Sequence, residues 1–314
     1  MVSTSGPSVE VDGLRKAYGP VQAVGGVTFG VEQGEVFALL GPNGAGKTTT
    51  IEILEGFRPR DAGNVRVLGL DPGDRRSQRH LRSRMGVVLQ ELAVEPYFTV
   101  RQVLARNAGF YPSPRPVDEV IAMVGLTEKG GDRVRTLSGG QQRRLDVGLG
   151  IIGNPELLFL DEPTTGLDPS GRRTSWQLIR RLSAEGATVI LTSHYMDEVE
   201  ALADRLVVIS DGQVVAEGTP TSVGGRELSA ATLRFQLPPA TTVSDLPVPV
   251  DGRRGEEVWI RTTDDVTVLH ALTSWALDRG VGLHGLTVQR TTLEDVYLQL
   301  TRPDGEPDDG NGGE

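Results

Sequence analysis

Gly41-Pro42-Asn43-Gly44-Ala45-Gly46-Lys47-Thr48 sets three glycines, a lysine and a hydroxyl at the spacing of a phosphate-binding loop. Glycine lets the backbone turn tightly and approach a phosphate with no Cβ in the way. The loop N–H groups and the start of the following helix then form a nest for an anion. Lys47 is expected to meet the β- and γ-phosphates of a nucleoside triphosphate, and Thr48 to ligate Mg²⁺. Thr49 stands beside them in the first helical turn. A glycine-rich turn that binds nothing would leave Lys47 and Thr48 unexplained. A second group, Asp161-Glu162, ends the apolar run 157–160. Asp161 suits Mg²⁺ coordination, and Glu162 suits a general base acting on water at the γ-phosphate. The plainer reading, an acidic cap on a strand, weakens once a phosphate loop is in the same chain.

These groups need elements to hold them. The apolar runs Val36–Leu40, 157–160, Thr188–Thr192 and Arg205–Ser210 alternate with helical patterns. That alternation predicts a mostly parallel sheet with helices on both faces, an α/β P-loop NTPase fold. The phosphate loop and the acidic pair would then lie at carboxyl ends of strands, where open α/β sheets bind ligands. Residues 9–31 read as an antiparallel β flank. A helical insertion is predicted over about 91–137, broken by Pro112, Pro114 and Pro116. The main domain is expected over 9–225. A small α+β domain is expected over 229–301, with strands at 231–237, 257–261 and 283–289 and helices at 266–277 and 293–300. A disordered leader (1–8) and a disordered tail (302–314) complete the reading.

Composition narrows the function. The chain has 314 residues and no cysteine, which excludes disulfides, iron–sulfur clusters and Cys-based zinc sites. A net charge of −10 argues against an extended nucleic-acid face. The basic run 75–84 reads as a solvated helix face. No stretch approaches the ~18–20 apolar residues of a membrane span, so direct bilayer insertion is not expected.

Leu137-Ser138-Gly139-Gly140-Gln141 opens a helix predicted over 142–152. Ser138 is a natural N-cap, and the two glycines leave backbone N–H groups at a positive helix end. Alone this is a weak motif. Between the phosphate loop and the acidic strand, it makes the chain resemble the ATP-binding-cassette (ABC) ATPases over roughly its first two-thirds. The resemblance implies ATP and Mg²⁺ as cofactors. It implies that Gln90 senses Mg²⁺ and the attacking water, that His194 contacts the γ-phosphate, and that Tyr18 stacks on adenine. It gives Gly166-Leu167-Asp168 to a loop linking two halves of a dimer. Gly148, Gly150 and Gly153 are an oddity in the helix after Gln141, since an interior glycine costs up to ~1 kcal/mol relative to Ala. Close packing on the sheet would require them.

ABC sites are composite, the phosphate loop of one domain facing the signature of another, and residues 137–141 match that signature. One set of motifs therefore implies a homodimer. Chromosome or repair ATPases of this family carry long coiled coils or zinc sites, and translation factors carry two cassettes; neither pattern is present. Thr292-Leu293-Glu294-Asp295-Val296-Tyr297-Leu298 resembles the C-terminal end of ABC-2-type exporter ATPases, the group of the daunorubicin/doxorubicin-resistance exporters. The resemblance implies a subunit that drives export of a drug-like, antibiotic or lipid-like substrate through a separate integral-membrane permease, at the cytoplasmic face of the membrane. An importer ATPase is the alternative.

Overall fold

Continuous apolar runs become strands buried on both faces, and alternating ones become a flank with one side in water. The computed structural model describes residues 6–88 and 94–301. The chain opens with β1 (Val9–Tyr18) and β2 (Val21–Val31), followed by β3 (Val36–Leu40), α1 (Lys47–Leu54), β4 (Ala62–Val67), α2 (Arg75–Arg82) and β5 (Met85–Val88). Next come α3 (Val100–Ala108), α4 (Val117–Met123), α5 (Gly139–Ile151), β6 (Leu157–Asp161), α6 (Pro169–Ala184), β7 (Thr188–Thr192), α7 (Met196–Leu202), β8 (Arg205–Ser210) and β9 (Gln213–Gly218). The remainder carries β10 (Ala231–Gln236), β11 (Gly252–Arg254), β12 (Glu257–Thr262), α8 (Asp265–Arg279), β13 (Thr287–Gln289) and α9 (Leu293–Thr301).

Contacts divide the described chain into two units, one running to Pro220 and taking in Leu300, the other Thr221–Gln299. In the first, six strands lie in the order β5-β6-β7-β3-β8-β9. All neighbours are parallel except β8 and β9. β3 and β7 are buried at every position, which is why they read as unbroken apolar runs. A second sheet, β2-β1-β4, is antiparallel. Phe29 of β2 stacks on Phe37 of β3, with ring centroids 5.3 Å apart, and joins the two sheets in one core. Residues 1–5, in the expected leader, lie outside the described residues; Ser8 is buried, its hydroxyl 2.7 Å from that of Thr188.

The helical insertion contains α3 and α4, with the prolines between them. Packing explains Gly150 and Gly153, the latter beyond the end of α5, whereas a Cβ on Gly148 would make only ordinary contacts at 3.4–3.5 Å. A Cβ on Gly150 would lie 2.5 Å from Val88 Cγ2, and one on Gly86 would lie 2.0 Å from the Gly150 carbonyl oxygen. A Cβ on Gly153 would lie 2.4 Å from the Tyr111 ring. Helix α5 thus rests on β5 backbone to backbone.

In the second unit, the antiparallel sheet runs β11-β12-β10-β13 over a core of Leu233, Phe235, Val258, Ile260 and Leu272. One expectation is corrected here. The strand expected over 283–289 is only Thr287–Gln289, paired with Thr232–Arg234 of β10. The apolar residues at 266 and 277 do not face the core: Val266 is 73% and Leu277 81% exposed, because the buried stripe of α8 runs through Leu272 and Ala276. β11 was not expected; its three residues, Gly-Arg-Arg, carry no apolar signal.

Gly86→Ala should lower stability by ~2 kcal/mol or more, because the added Cβ meets backbone that cannot swing away. Gly139→Ala, with nothing within 4 Å of the new Cβ, should leave stability unchanged or slightly raised. Thermal melts of the two variants check the contrast.

Candidate functional site

The phosphate loop follows β3 directly, so the strand that is most deeply packed carries it. Gly41 approaches the next strand too closely for any side chain: a Cβ would lie 2.2 Å from the Ile209 carbonyl oxygen. Gly46 has φ +102 and would place a Cβ 2.3 Å from the Ala23 carbonyl oxygen. Gly46 is also the N-cap of α1 and offers no side-chain cap, so the first-turn N–H groups keep their pull on an anion. Around Gly44 nothing stands within 4 Å of a Cβ, while Ala45 is buried and its N–H donates to the Pro42 carbonyl at 3.2 Å. Asn43 and Thr48 are exposed at the rim, with Thr49 partly so.

Lys47 curls over this loop and donates to the carbonyls of Gly41 (2.5 Å) and Pro42 (3.0 Å). Burial pulls its pKa down, and the charges of Glu162 and Asp161 oppose that. The lysine therefore lies in the field of both carboxylates, although they come from a strand more than a hundred residues later. Tyr18 is 39% exposed, with its hydroxyl 3.5 Å from Thr49 Oγ1. Arg58 and Lys16 flank its ring at 5.2 and 5.7 Å. It is a surface aromatic beside the loop, not a core tyrosine.

Asp161 ends β6, next to β7. One Asp161 oxygen accepts from the Thr192 hydroxyl at 2.5 Å. That hydroxyl also accepts from the Glu162 N–H at 3.2 Å, and the Thr192 carbonyl accepts from it at 3.1 Å. Glu162 has φ +50, the left-handed region, which turns its side chain off the strand line. One Glu162 carboxylate oxygen contacts His194 Nε2, and the other accepts from Thr165 Oγ1 at 3.2 Å. The structure thus brings together the loop, Asp161, Glu162 and His194 at the ends of β3, β6 and β7. Gln90 lies outside the described residues.

Mg²⁺ fits this donor set. No group of three His, Asp or Glu side chains among the described residues could hold a metal alone. A Mg²⁺ ion bound here would take most of its ligands from phosphate oxygens and water, with Thr48 and Asp161 the candidate protein ligands.

Ser138 caps α5: its hydroxyl accepts from the Gln141 N–H at 3.3 Å, and Gln141 Oε1 accepts from the Ser138 N–H at 2.9 Å. Gly139 is open, and Gly140 packs on Leu167 with 3.3 Å to a Cβ. Ser138, Gly140 and Gln141 share a cleft of about 380 Å³ with Gly166, Leu167 and Asp168. Asp168 caps α6 through the Gly171 N–H at 2.7 Å. None of the phosphate-loop residues lines this cleft. The signature cleft and the phosphate loop are thus separate places on one chain.

Sequence reasoning missed Thr192 and Arg143. Arg143, on the second turn of α5, donates to the carbonyls of Asp161 (2.5 Å), Glu162 (2.9 Å) and Pro163 (3.2 Å), and pairs with Asp146 at 2.8 Å. Burial pushes the Asp146 carboxyl up to about 6, against the pull of Arg143. No local pattern announces contacts across 18 to 20 residues.

A family model described as ABC transporter matches residues 24–165, and one described as ABC transporter domain-containing protein-like, C-terminal domain, matches residues 231–292. The linearmycin resistance ATP-binding protein LnrL of Bacillus subtilis (strain 168) is 34% identical over 314 residues, covering 93% of this chain and 98% of that protein. The Nod factor export ATP-binding protein I of Paraburkholderia xenovorans is 38% identical over 94% of this chain and 97% of its own length. The daunorubicin resistance ATP-binding protein DrrA2 of Streptomyces coeruleorubidus is 36% identical, with 94% and 95% covered. A solved ATP-binding subunit of an ABC transporter matches 68% of this chain and 90% of its own at a TM-score of 0.63 and 26% identity. CbiO1 from Clostridium perfringens, part of the ABC transporter complex cbiONQ, matches 69% and 90% at 0.62 and 27%. With the phosphate loop, the acidic strand end and the signature cleft all in place, the chain belongs to the ATP-binding, ATP-hydrolysing subunits of ABC transporters.

Proposed function

We propose that this chain forms a homodimer whose two composite sites hydrolyse ATP with Mg²⁺ and drive export of a drug-like, antibiotic or lipid-like substrate through a separate integral-membrane permease. The observation that carries the dimer is the separation of the two half-sites. Ser138, Gly140 and Asp168 line one cleft, and the phosphate loop with Glu162 and His194 lies elsewhere in the same chain. A second copy supplies the missing half to each. In this reading Lys47, Thr48 and the loop backbone hold the triphosphate, Tyr18 stacks on adenine, and Asp161, Thr48 and Gln90 hold Mg²⁺. Glu162 takes the proton of the attacking water, and His194 orients the carboxylate and the γ-phosphate.

The export reading is supported by relatives named for resistance and export that match from end to end, second unit included. An importer ATPase is the second reading. No helix among the described residues is long and apolar enough to cross a membrane. In this reading the pathway belongs to the permease and the subunit works at its cytoplasmic face. Tyr97 is 62% exposed, just after the segment that holds Gln90, and is a candidate contact for the permease.

Glu162→Gln should cut ATP turnover by about 10²-fold or more while ATP binding persists, since it removes the base and keeps the shape. Hydrolysis assays beside calorimetry of ATP binding read both. Mixing Lys47→Ala with Ser138→Arg subunits should restore activity above either variant alone, because the mixed dimer holds one intact composite site; activity that never rises argues for sites complete within one chain. Tyr97→Glu should lower export in cells while hydrolysis by the isolated subunit stays near wild type; parallel loss of both would assign Tyr97 to packing.

A further inference from the structure

Glu198 is the least exposed carboxylate among the described residues, at 0%. A buried carboxylate is costly unless both oxygens are bonded. Here Oε2 accepts from the Ser193 hydroxyl at 2.5 Å, and Oε1 accepts from the Trp176 indole N–H at 3.0 Å. The Ser193 oxygen in turn accepts from the Tyr195 N–H at 3.0 Å. Ser193 and Tyr195 are the two neighbours of His194, so the hydroxyl closes a short ring of chain around the histidine. Helix α7 has no side-chain cap at Tyr195, and this ring takes over the entry to it.

The other arm leads away from the nucleotide loop. Trp176 lies on α6, two turns after Asp168, which caps that helix and lines the signature cleft. Arg172 stacks between them, 5.4 Å from the Trp176 ring and 4.2 Å from that of Tyr195. One carboxylate therefore ties the turn that carries His194 to the helix that begins at the other half-site. An apolar pair would fill the same space without that directional link.

We infer that Glu198 is a positioning residue: through Ser193 it fixes His194 against Glu162, and through Trp176 it couples that geometry to helix α6. This rests on the hydrolytic reading of Glu162 and His194. A movement of α6 as the signature cleft closes is passed to the histidine through the shared carboxylate, with no contact between either residue and nucleotide.

The test uses the full chain with Trp259→Phe and Trp275→Phe, which leaves Trp176 as its only tryptophan. Ser193→Ala removes the arm to His194. It should lower kcat about tenfold or more, with KM for ATP within about twofold of the parent, as expected for a misoriented catalytic group. In the parent, ATP should change Trp176 emission, and Ser193→Ala, which breaks the chain only beyond Glu198, should keep that change while turnover falls. Trp176→Phe, in the natural background, should lower kcat in the same direction, and Glu198→Gln, which keeps an acceptor for the indole, should fall between the parent and Glu198→Ala. A kcat for Ser193→Ala within twofold of the parent, or no ATP response of Trp176 in the parent, overturns the inference. So does a lower melting temperature with turnover per folded molecule unchanged, which marks Glu198 as structural alone. Should Ser193→Ala fail to fold, unchanged turnover in Trp176→Phe overturns it equally. Glu162→Gln in parallel separates the two readings: if it hydrolyses normally the hydrolytic assignment fails, whereas an inactive Glu162→Gln beside an active Ser193→Ala removes only the role of Glu198.

Discussion

The backbone at Glu162 is the constraint on which the site turns. A non-glycine residue at φ +50 costs on the order of 1–3 kcal/mol and persists only where its surroundings leave no alternative. Those surroundings are on both sides. From β7, Thr192 takes the Glu162 N–H with its carbonyl and its hydroxyl. From α5, Arg143 holds the carbonyls on either side of the strained bond. Were the strand to continue as β structure, the Glu162 side chain would follow the sheet alternation. The left-handed turn instead directs it to His194 and brings it within the field of Lys47.

Arg143 can do this only because α5 sits unusually close to the sheet. Gly150 and Gly86 bring helix and strand together at a spacing no Cβ allows. The interior glycines weaken α5 as an isolated helix, and tertiary contact makes up for it. The same approach that places Arg143 under the strand end also fixes Ser138 to Gln141, at the same end of the helix. The signature on α5 and the carboxylates at the end of β6 are thus tied to each other through Arg143.

Much of this was legible in the sequence, for physical reasons. Strands buried on both faces read as unbroken apolar runs, so Val36–Leu40 and Thr188–Thr192 emerge with their full limits. The phosphate loop is legible because only glycine fits beside Ile209 and Ala23. Where burial is one-sided the signal fades: in the second unit the short edge strand β11 carries two arginines, and β13 is exposed throughout. Val266 and Leu277 show that an apolar residue on a helix does not itself identify the buried face. Arg143, Thr192 and Glu198 were invisible for another reason. Each acts through partners set by tertiary packing, and its own neighbours in sequence look like ordinary helix or strand.

Three unfavourable features therefore collect at the ends of β6 and β7: a left-handed glutamate, an aspartate whose carboxyl is pushed up to about 6, and a carboxylate fully out of water. For Asp146 the sign is plain. A carboxyl whose folded value lies above its unfolded one favours the folded state least when ionised, so its contribution falls as pH rises from about 4 to about 6 and is constant above that. Stability alone would replace it. Its removal, however, would leave the Arg143 guanidinium nearly buried without its carboxylate partner, and breaking one side of a buried pair costs more than the pair itself. The aspartate is retained because Arg143 is needed, and Arg143 is needed because Glu162 must leave the line of its strand. Local cost concentrated at one site, in a domain otherwise packed with aliphatic side chains, marks where geometry has been kept ahead of stability.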